Sequence, residues 1–535
     1  MQRFETESQR LVFQLLTIFV FILLVGRLFT LQVLERGRFA KLSSGNAARL
    51  IPMNGPRGII YDRNGKVMVS NRMIFSVVIL PPSVDNLNDT VDYLNRITGV
   101  AKAKIVKLIE DKKDKPFEPV TIIDNIPMSM VAKLEEQKYK YPGVVVSNRP
   151  VRYYVNGASA VHVVGYIGEI TQDELNEVFE GNYRSGSIIG KDGVEKSYDS
   201  YLRGIDGGME IEVNAAGQPV RVLRNIEPVQ GKDVYLTIDM DLQKVVERAL
   251  RGKPGAVVVM NPRTGEILAM ASYPDFDPNM FSAPLEDWRW KLATRYGYPF
   301  MNRALAAYPP GSTFKVITQS AVLQEKLSKT TDTYYCPGSY KIGNRVAFCW
   351  NKSGHGTLDL TGGLVWSCNV LHYQLALKAG PEILADYARK FGLGTKTGID
   401  LPEEAKGTVP DSKWKEENTG EPWYPGDTIN YGIGQGYLTA TPLQMASVYS
   451  LIANGSNAYV PYIVKEVRDR RGEVYYAGSP KVRMGLPVGW NVVEHLREAL
   501  RQVVYRGTGI AAKVPGIPAA GKTGTAEVPP KLPHA

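Results

Sequence analysis

The chain opens with an uncharged apolar run. Leu11 to Gly26 carries no charged residue, and after Arg27 the apolar character resumes from Leu28 to Leu34. That makes about 20 residues, the length a helix needs to cross a bilayer. Arg27 near one end can snorkel to the headgroups. A cleaved signal peptide would have a shorter apolar core and a small-residue cleavage site. Here Glu35-Arg36-Gly37-Arg38 follows instead. The pattern predicts an uncleaved single-pass anchor over 11–34, with 1–10 as a cytoplasmic tail. Arg3 and Arg10 precede the run while Arg27, Arg36 and Arg38 lie at or beyond its end. The positive-inside signal is therefore weak or contrary.

Downstream, Asn64-Gly65 between short apolar runs is a hairpin turn signal. Ile74 to Leu80 reads as a strand ended by Pro81-Pro82. Residues 83–140 are charged and helical in pattern, as in an inserted subdomain. The glycines of Gly190-Lys191-Asp192-Gly193-Val194-Glu195-Lys196 and Leu202-Arg203-Gly204 imply turns, and no phosphate-loop motif is present there. From about Gly231 the texture changes. Val234 to Ile238 predicts a strand, and Asp239 caps a helix with an apolar stripe of Leu242, Val245, Val246, Ala249 and Leu250. Ala256 to Met260 and Ile267 to Ala271, joined by Asn261-Pro262-Arg263-Thr264-Gly265, predict a hairpin. A helix against an antiparallel sheet is an α+β arrangement.

Composition changes this picture little. A chain of 535 residues is too long for one core and implies about three folded units. The excess of 64 basic over 54 acidic residues, a net charge of +10, would suit nucleic acid, a membrane surface or an acidic polymer. No run of Lys and Arg interleaved with aromatics occurs, so nucleic acid is not expected; spread basic residues mean a solvated surface.

The candidate chemistry starts at Pro309-Pro310-Gly311-Ser312-Thr313-Phe314-Lys315, which ends a loop and opens a helix with Phe314, Ile317 and Ala321 on one face. Ser312 and Lys315 are three apart and share one side of the first turn. A serine hydroxyl needs a base to become a nucleophile. A lysine can be that base when burial or a neighbouring cation keeps it neutral. Alone, S-x-x-K means little, and it recurs at Ser412-Lys413-Trp414-Lys415. S-x-N occurs at Ser44-Gly45-Asn46 and Ser367-Cys368-Asn369, and K-T-G at Lys396-Thr397-Gly398 and Lys522-Thr523-Gly524. Context selects among them. Ser412 is flanked by charge, Ser44 adjoins the anchor, and Lys396 follows a helix stop at Phe391-Gly392-Leu393-Gly394. The small residues around Lys522 suit an edge strand beside a substrate. Ser312-Lys315, Ser367-Asn369 and Lys522-Thr523-Gly524 remain, in that order.

That ordered triple is shared by penicillin-binding proteins and β-lactamases. The chain resembles the class B penicillin-binding proteins, and within them the elongation branch, penicillin-binding protein 2. The resemblance covers nearly the whole length. It includes the anchor, Arg57-Gly58 with Asp62-Arg63-Asn64-Gly65, the Gly190 to Glu195 stretch, Leu202-Arg203-Gly204, the Tyr308-Pro309-Pro310 lead-in, and Tyr431-Gly432-Ile433-Gly434-Gln435-Gly436. It implies a pedestal of dimerisation type over 35–230 with a head subdomain at about 73–160, then a β-lactamase-like transpeptidase domain over 231–535. It implies an enzyme of the inner membrane, facing the periplasm, that cross-links peptidoglycan stem peptides and is inhibited by β-lactams. Ser312 would attack the penultimate D-Ala, with Lys315 as base. Ser367 would relay a proton and Asn369 bind the substrate amide. Lys522, Thr523 and Thr525 would hold the terminal carboxylate, alongside Gly524. The N–H groups of Ser312 and Thr525 would form the oxyanion hole. The acyl transfer needs no cofactor. The rod-complex polytopic glycosyltransferase and other elongation proteins are the implied partners. A division enzyme, a β-lactamase, a penicillin-sensing receptor and a mainly non-catalytic scaffold are the rival readings.

All three cysteines fall within 33 residues around one histidine, as Cys336-x12-Cys349-x5-His355-x12-Cys368. Three thiols and an imidazole suit tetrahedral zinc. Some proteins resembling penicillin-binding protein 2 carry zinc here. Were Ser367-Cys368-Asn369 extended, Cys368 would face away from Ser367 and Asn369 and the metal would brace the loop from behind. A Cys336–Cys349 disulfide or unligated thiols stay open. His372 is the rival histidine, expected in the core. His162, His495 and His534 show no partner in sequence. The chain stops 11 residues after Gly524, so the resemblance implies a transpeptidase domain lacking its last strands and helix, less stable than a longer relative.

Overall fold

The computed structural model describes residues 2–34, 48–112, 119–177, 183–184, 186–213, 219–282 and 297–527. Glu35 to Arg38, the motif at Ser44, His534 and the segment 528–535 that bears on truncation lie outside the described residues, as does the side chain of Arg3. Two compact units emerge. One holds Met1–Pro56, Arg72–Val151 and Gly204–Gln230; the other holds Arg57–Asn71, Arg152–Arg203 and Gly231–Ala535. Two stretches of the expected pedestal, 57–71 and 152–203, thus group with the C-terminal part.

In the first unit the apolar run is helical over Gln2–Phe29 and continues as a π-turn over Thr30–Leu34. Arg10–Leu34 is long and apolar enough to cross a membrane, and none of it is buried by protein. Strands Ala48–Met53, Gly207–Val213 and Pro219–Ile226 form an antiparallel sheet. The expected charged subdomain has three helices, Leu87–Thr98, Lys102–Glu110 and Met128–Glu136. It also has a strand, Val120–Ile123, paired with the end of Val67–Ile79. Val77, Leu94, Ile105, Ile122 and Leu134 make its core.

In the second unit Asn64-Gly65 turns as predicted, with Gly65 at φ +80° between Ile60–Tyr61 and the start of Val67–Ile79. The buried Asp62 carboxylate fixes the turn by accepting from the N–H groups of Asn64 and Lys66. Strand Asp233–Leu236 pairs in parallel with Ile60–Tyr61 and antiparallel with Val464–Arg468. Asp239 caps helix Met240–Leu250 through the N–H groups of Asp241 and Leu242. Val245, expected in the apolar stripe, is 51% exposed; Gln243 is buried instead, bonded to the backbone of Met270. A polar side chain with both ends paired is as good a core residue as an apolar one. The hairpin is Gly255–Met260 with Ile267–Tyr273.

Two sequence signatures meet in a buried charge network. Arg57 pairs with Glu195 and with Asp199, each at 2.7 Å, and Arg152 reaches the other Glu195 oxygen at 2.6 Å. Glu195 has no exposed surface. The Gly190 to Glu195 stretch is therefore an anchor for the Arg57 segment as well as a turn. The main core surrounds helix Lys315–Gln324, whose first eight residues are all buried. Such all-round burial belongs to a helix at the centre of a domain. It packs on Asn369–Lys390 through residues such as Leu371, Leu375 and Ala376.

Candidate active site

Ser312 sits where a tight turn feeds a buried helix. Gly311–Phe314 forms a 3-10 turn, and Lys315 begins the α-helix. Gly311 is held at φ +57°, and a Cβ there would lie 2.6 Å from the Thr525 carbonyl oxygen, so only glycine fits. Its N–H donates to the carbonyl of Gly434 at 2.8 Å. The Tyr431 ring stacks on Phe314 with centroids 5.5 Å apart. The Y-x-x-G-Q-G segment thus backs the serine loop. Ser312 stays half-buried, whereas Lys315 has no exposed surface.

Lys315 Nζ donates to the Ser367 carbonyl and to Asn369 Oδ1, each at 2.7 Å, which occupies both N–H groups of a neutral amine and leaves its lone pair toward Ser367 Oγ, 3.3 Å away. Burial, reinforced by the nearby Lys522 cation, holds this amine well below the ordinary lysine range. A neutral lysine keeps a lone pair and can take a proton. Lys522 Nζ donates to the same Ser367 Oγ at 2.8 Å. Burial brings Lys522 down to about 8, so it remains mostly charged at neutral pH. One serine hydroxyl therefore stands between a neutral amine and an ammonium.

Ser367-Cys368-Asn369 is not extended as expected. It is a turn between helices Leu360–Val365 and Asn369–Lys390, with Ser367 at φ +52°. A left-handed non-glycine residue costs about 1–3 kcal/mol and persists only where surroundings enforce it. The turn still separates the side chains. Ser367 and Asn369 meet Lys315, while Cys368 joins the other thiols. Lys522-Thr523-Gly524 lies beside the serine turn, where a Cβ on Gly524 would be 2.9 Å from Thr313 Cγ2. The expected edge strand is absent among the described residues: 518–527 form no ladder. The Thr525 N–H finds no acceptor among them.

Ser312, Ser367, Asn369, Thr523 and Thr525 line one cleft of about 310 Å³ with Trp350, Gln435, Thr508 and Glu527.

Behind it, Cys336, Cys349, His355 and Cys368 bring their donor atoms within 4.8 Å of one another. The cysteines are free thiols. His355 Nδ1 faces Cys336 and Cys349 Sγ at 3.6 and 3.5 Å. The hydrogen bond from Cys368 and backbone N–H groups of Asn369, Asn351 and Val370 pull the Cys349 thiol down, to about 4, while Cys368 is pushed up. A clustered thiolate, two thiols and an inward imidazole fit a tetrahedral zinc donor set. His372 stands apart, fully buried, with Nδ1 on the Cys368 carbonyl at 2.7 Å and Nε2 near Gln319.

The sequence profile of the penicillin binding protein transpeptidase domain matches residues 255–532, and that of the penicillin-binding protein dimerisation domain matches 52–236. The chain is a class B penicillin-binding protein. It is 35% identical over 520 residues to the peptidoglycan D,D-transpeptidase MrdA of Acinetobacter baumannii, covering 96% of this chain and 77% of that one. Its fold matches penicillin-binding protein 2 from Helicobacter pylori, solved in complex with MreC, with a TM-score of 0.77 and 29% identity over 90% of each chain. It also matches a chain from a peptidoglycan synthase complex described as coordinating polymerization and crosslinking. There the TM-score is 0.70, with 32% identity over 97% of this chain and 89% of that one.

In this penicillin-binding protein the duplicate motifs take other work. Lys415 is buried against Asp427 at 2.7 Å and the Pro422 carbonyl. The N–H groups of Thr397 and Gly398 donate to the Glu404 carboxylate. Four lining residues were not among the expected site residues. Gln435 lies in the Tyr431 to Gly436 segment, Glu527 is three residues past Gly524, Trp350 adjoins Cys349, and Thr508 carried no sequence signal.

Proposed function

We propose that the chain is the D,D-transpeptidase of wall elongation, joining peptidoglycan stem peptides through an acyl-enzyme on Ser312. The observation that carries this is the bonding of Lys315 Nζ to Ser367 and Asn369, which line one cleft with Ser312, while Lys522 Nζ bonds the same Ser367 hydroxyl. Ser312 Oγ attacks the carbonyl of the penultimate D-Ala while Lys315 accepts its proton. A C–O bond forms, and the C–N bond to the terminal D-Ala breaks. Ser367, between the two lysines, passes a proton to the leaving amine. An amine of a second stem peptide then attacks the ester, the C–O bond breaks, and Ser312 regains its proton. Asn369 holds the donor amide. Lys522 with Thr523 and Thr525 takes the terminal carboxylate. The open Thr525 N–H and that of Ser312, at a helix start where such groups lack partners, receive the oxyanion. β-Lactams acylate the same serine.

Cys336, Cys349, His355 and Cys368 would hold a zinc ion. Its chemistry there would be structural, with Cys349 and Cys368 tying together the segments that carry Trp350, Ser367 and Asn369. The apolar helix anchors the chain in the cytoplasmic membrane as a single pass, with the catalytic unit outside, where its polymer lies. The likeness to a protein solved in complex with MreC, and to a chain of a peptidoglycan synthase complex, supports MreC-like and glycan-polymerising partners. Gel labelling of membranes with a fluorescent penicillin tests the reading: a stable band is expected for the wild type and none for Ser312→Ala. A band of equal strength in both would refute it.

A further inference from the structure

The segment after Lys522 lines the cleft with every second residue, Thr523, Thr525 and Glu527. Alternation of this kind belongs to a near-extended backbone, with same-side residues about 7 Å apart. Of the side chains lining the cleft Glu527 is the one acid, and the Lys522 ammonium stands beside Ser367, bonded to its Oγ. Glu527 makes no ion pair among the described residues. A carboxylate there repels the donor's own C-terminal carboxylate, which belongs at Lys522 and Thr523. With that end fixed and the reacting carbonyl at Thr525, Glu527 falls one step further along the peptide. A donor so placed would bring the residue that precedes the two D-alanines beside Glu527, on the side from which the second peptide must approach.

Cross-linking needs an amine on the acceptor stem. Donor and acceptor are strands of one polymer, so an uncross-linked donor stem carries the same amine. We propose that Glu527 is a specificity-determining residue that receives the side-chain ammonium of an amine-bearing stem peptide. This rests on the transpeptidase reading above. The ammonium has two sources, the donor stem and the acceptor stem, and the chemistry at Glu527 is common to both.

The test compares the full-length wild type with Glu527→Gln, which keeps size and removes charge. Fluorescent penicillin first reports that Ser312 reacts in each. In the donor arm, D-Ala release is measured from two peptides ending in D-Ala-D-Ala. One has a free side-chain amine at the preceding residue and the other has that amine acetylated. In the acceptor arm, the acyl-enzyme from the acetylated donor is partitioned between water and an amine-bearing peptide. The wild type is expected to favour the free amine by about tenfold, the scale of a charge-assisted hydrogen bond, and Glu527→Gln to lose the preference. The arm in which it is lost identifies the source. No preference in either arm, or one of equal size in both proteins, overturns the proposal alone. Absence of penicillin labelling in the wild type overturns the transpeptidase reading and the proposal with it.

Discussion

Lys315 Nζ lies 2.7 Å from Asn369 Oδ1, inside a helix start with no exposed surface. Burial, and then the nearby Lys522 cation, hold this amine well below the ordinary lysine range and so favour its neutral form. Asn369 aims its lone pair. Lys315→Ala is expected to slow acylation by about 10²–10⁴-fold, the usual contribution of a general base. Lys315→Arg, permanently charged, is expected to rescue little. Burst kinetics with a chromogenic β-lactam check both.

Lys522 gives the pH dependence a direction. Its folded pKa is lowered to about 8, so the cation is present below that pH and is lost as pH rises through it. Acylation by donors bearing a carboxylate should therefore fall above about pH 8 through a rise in KM. A donor with that carboxylate esterified should lack this limb. On the acid side, protonation of Lys315 removes the base and kcat/KM falls for both donors.

Cys368, one of the four proposed zinc donors, sits in the loop that carries Ser367 and Asn369, so its removal also alters that loop. Cys368→Ser, or treatment with a strong chelator, is expected to lower the melting temperature by about 5 °C or more and to slow penicillin labelling. Metal analysis of the purified chain should give one zinc per chain, falling in the variant.

Glu195 holds Arg57 and Arg152 together without any exposed surface. Glu195→Ala leaves two buried guanidinium groups short of a partner. A cost of about 3–5 kcal/mol is expected, measured by denaturant unfolding, with loss of soluble protein as the cruder sign. Glu195→Gln, which keeps one acceptor, should cost less.

What the sequence disclosed was local. The Asn64-Gly65 turn, the Asp239 cap and the hairpin after Gly255 each depend on a few neighbouring residues, and each forms as read. The order of the three motifs, with their apolar or small-residue surroundings, selected the copies that the fold brings together at one cleft. What stayed hidden depends on contacts far apart in the chain. Ser367 adopts a left-handed turn because helices on both sides of it are fixed by the core. Gln243 replaces Val245 inside because the Met270 backbone offers both bonds. Thr508 reaches the cleft only because its N–H meets the Val365 carbonyl and its hydroxyl meets Thr523.

The central claim is an acyl-enzyme on Ser312 that an amine resolves. Peptide mass spectrometry after rapid quenching of the full chain with a D-Ala-D-Ala stem peptide tests it directly. The prediction is an adduct on Ser312 with the mass of the donor less one D-Ala, disappearing into cross-linked product when an amine acceptor is added. Cross-linked product formed with no adduct on Ser312, or with the adduct on another residue, would contradict the account.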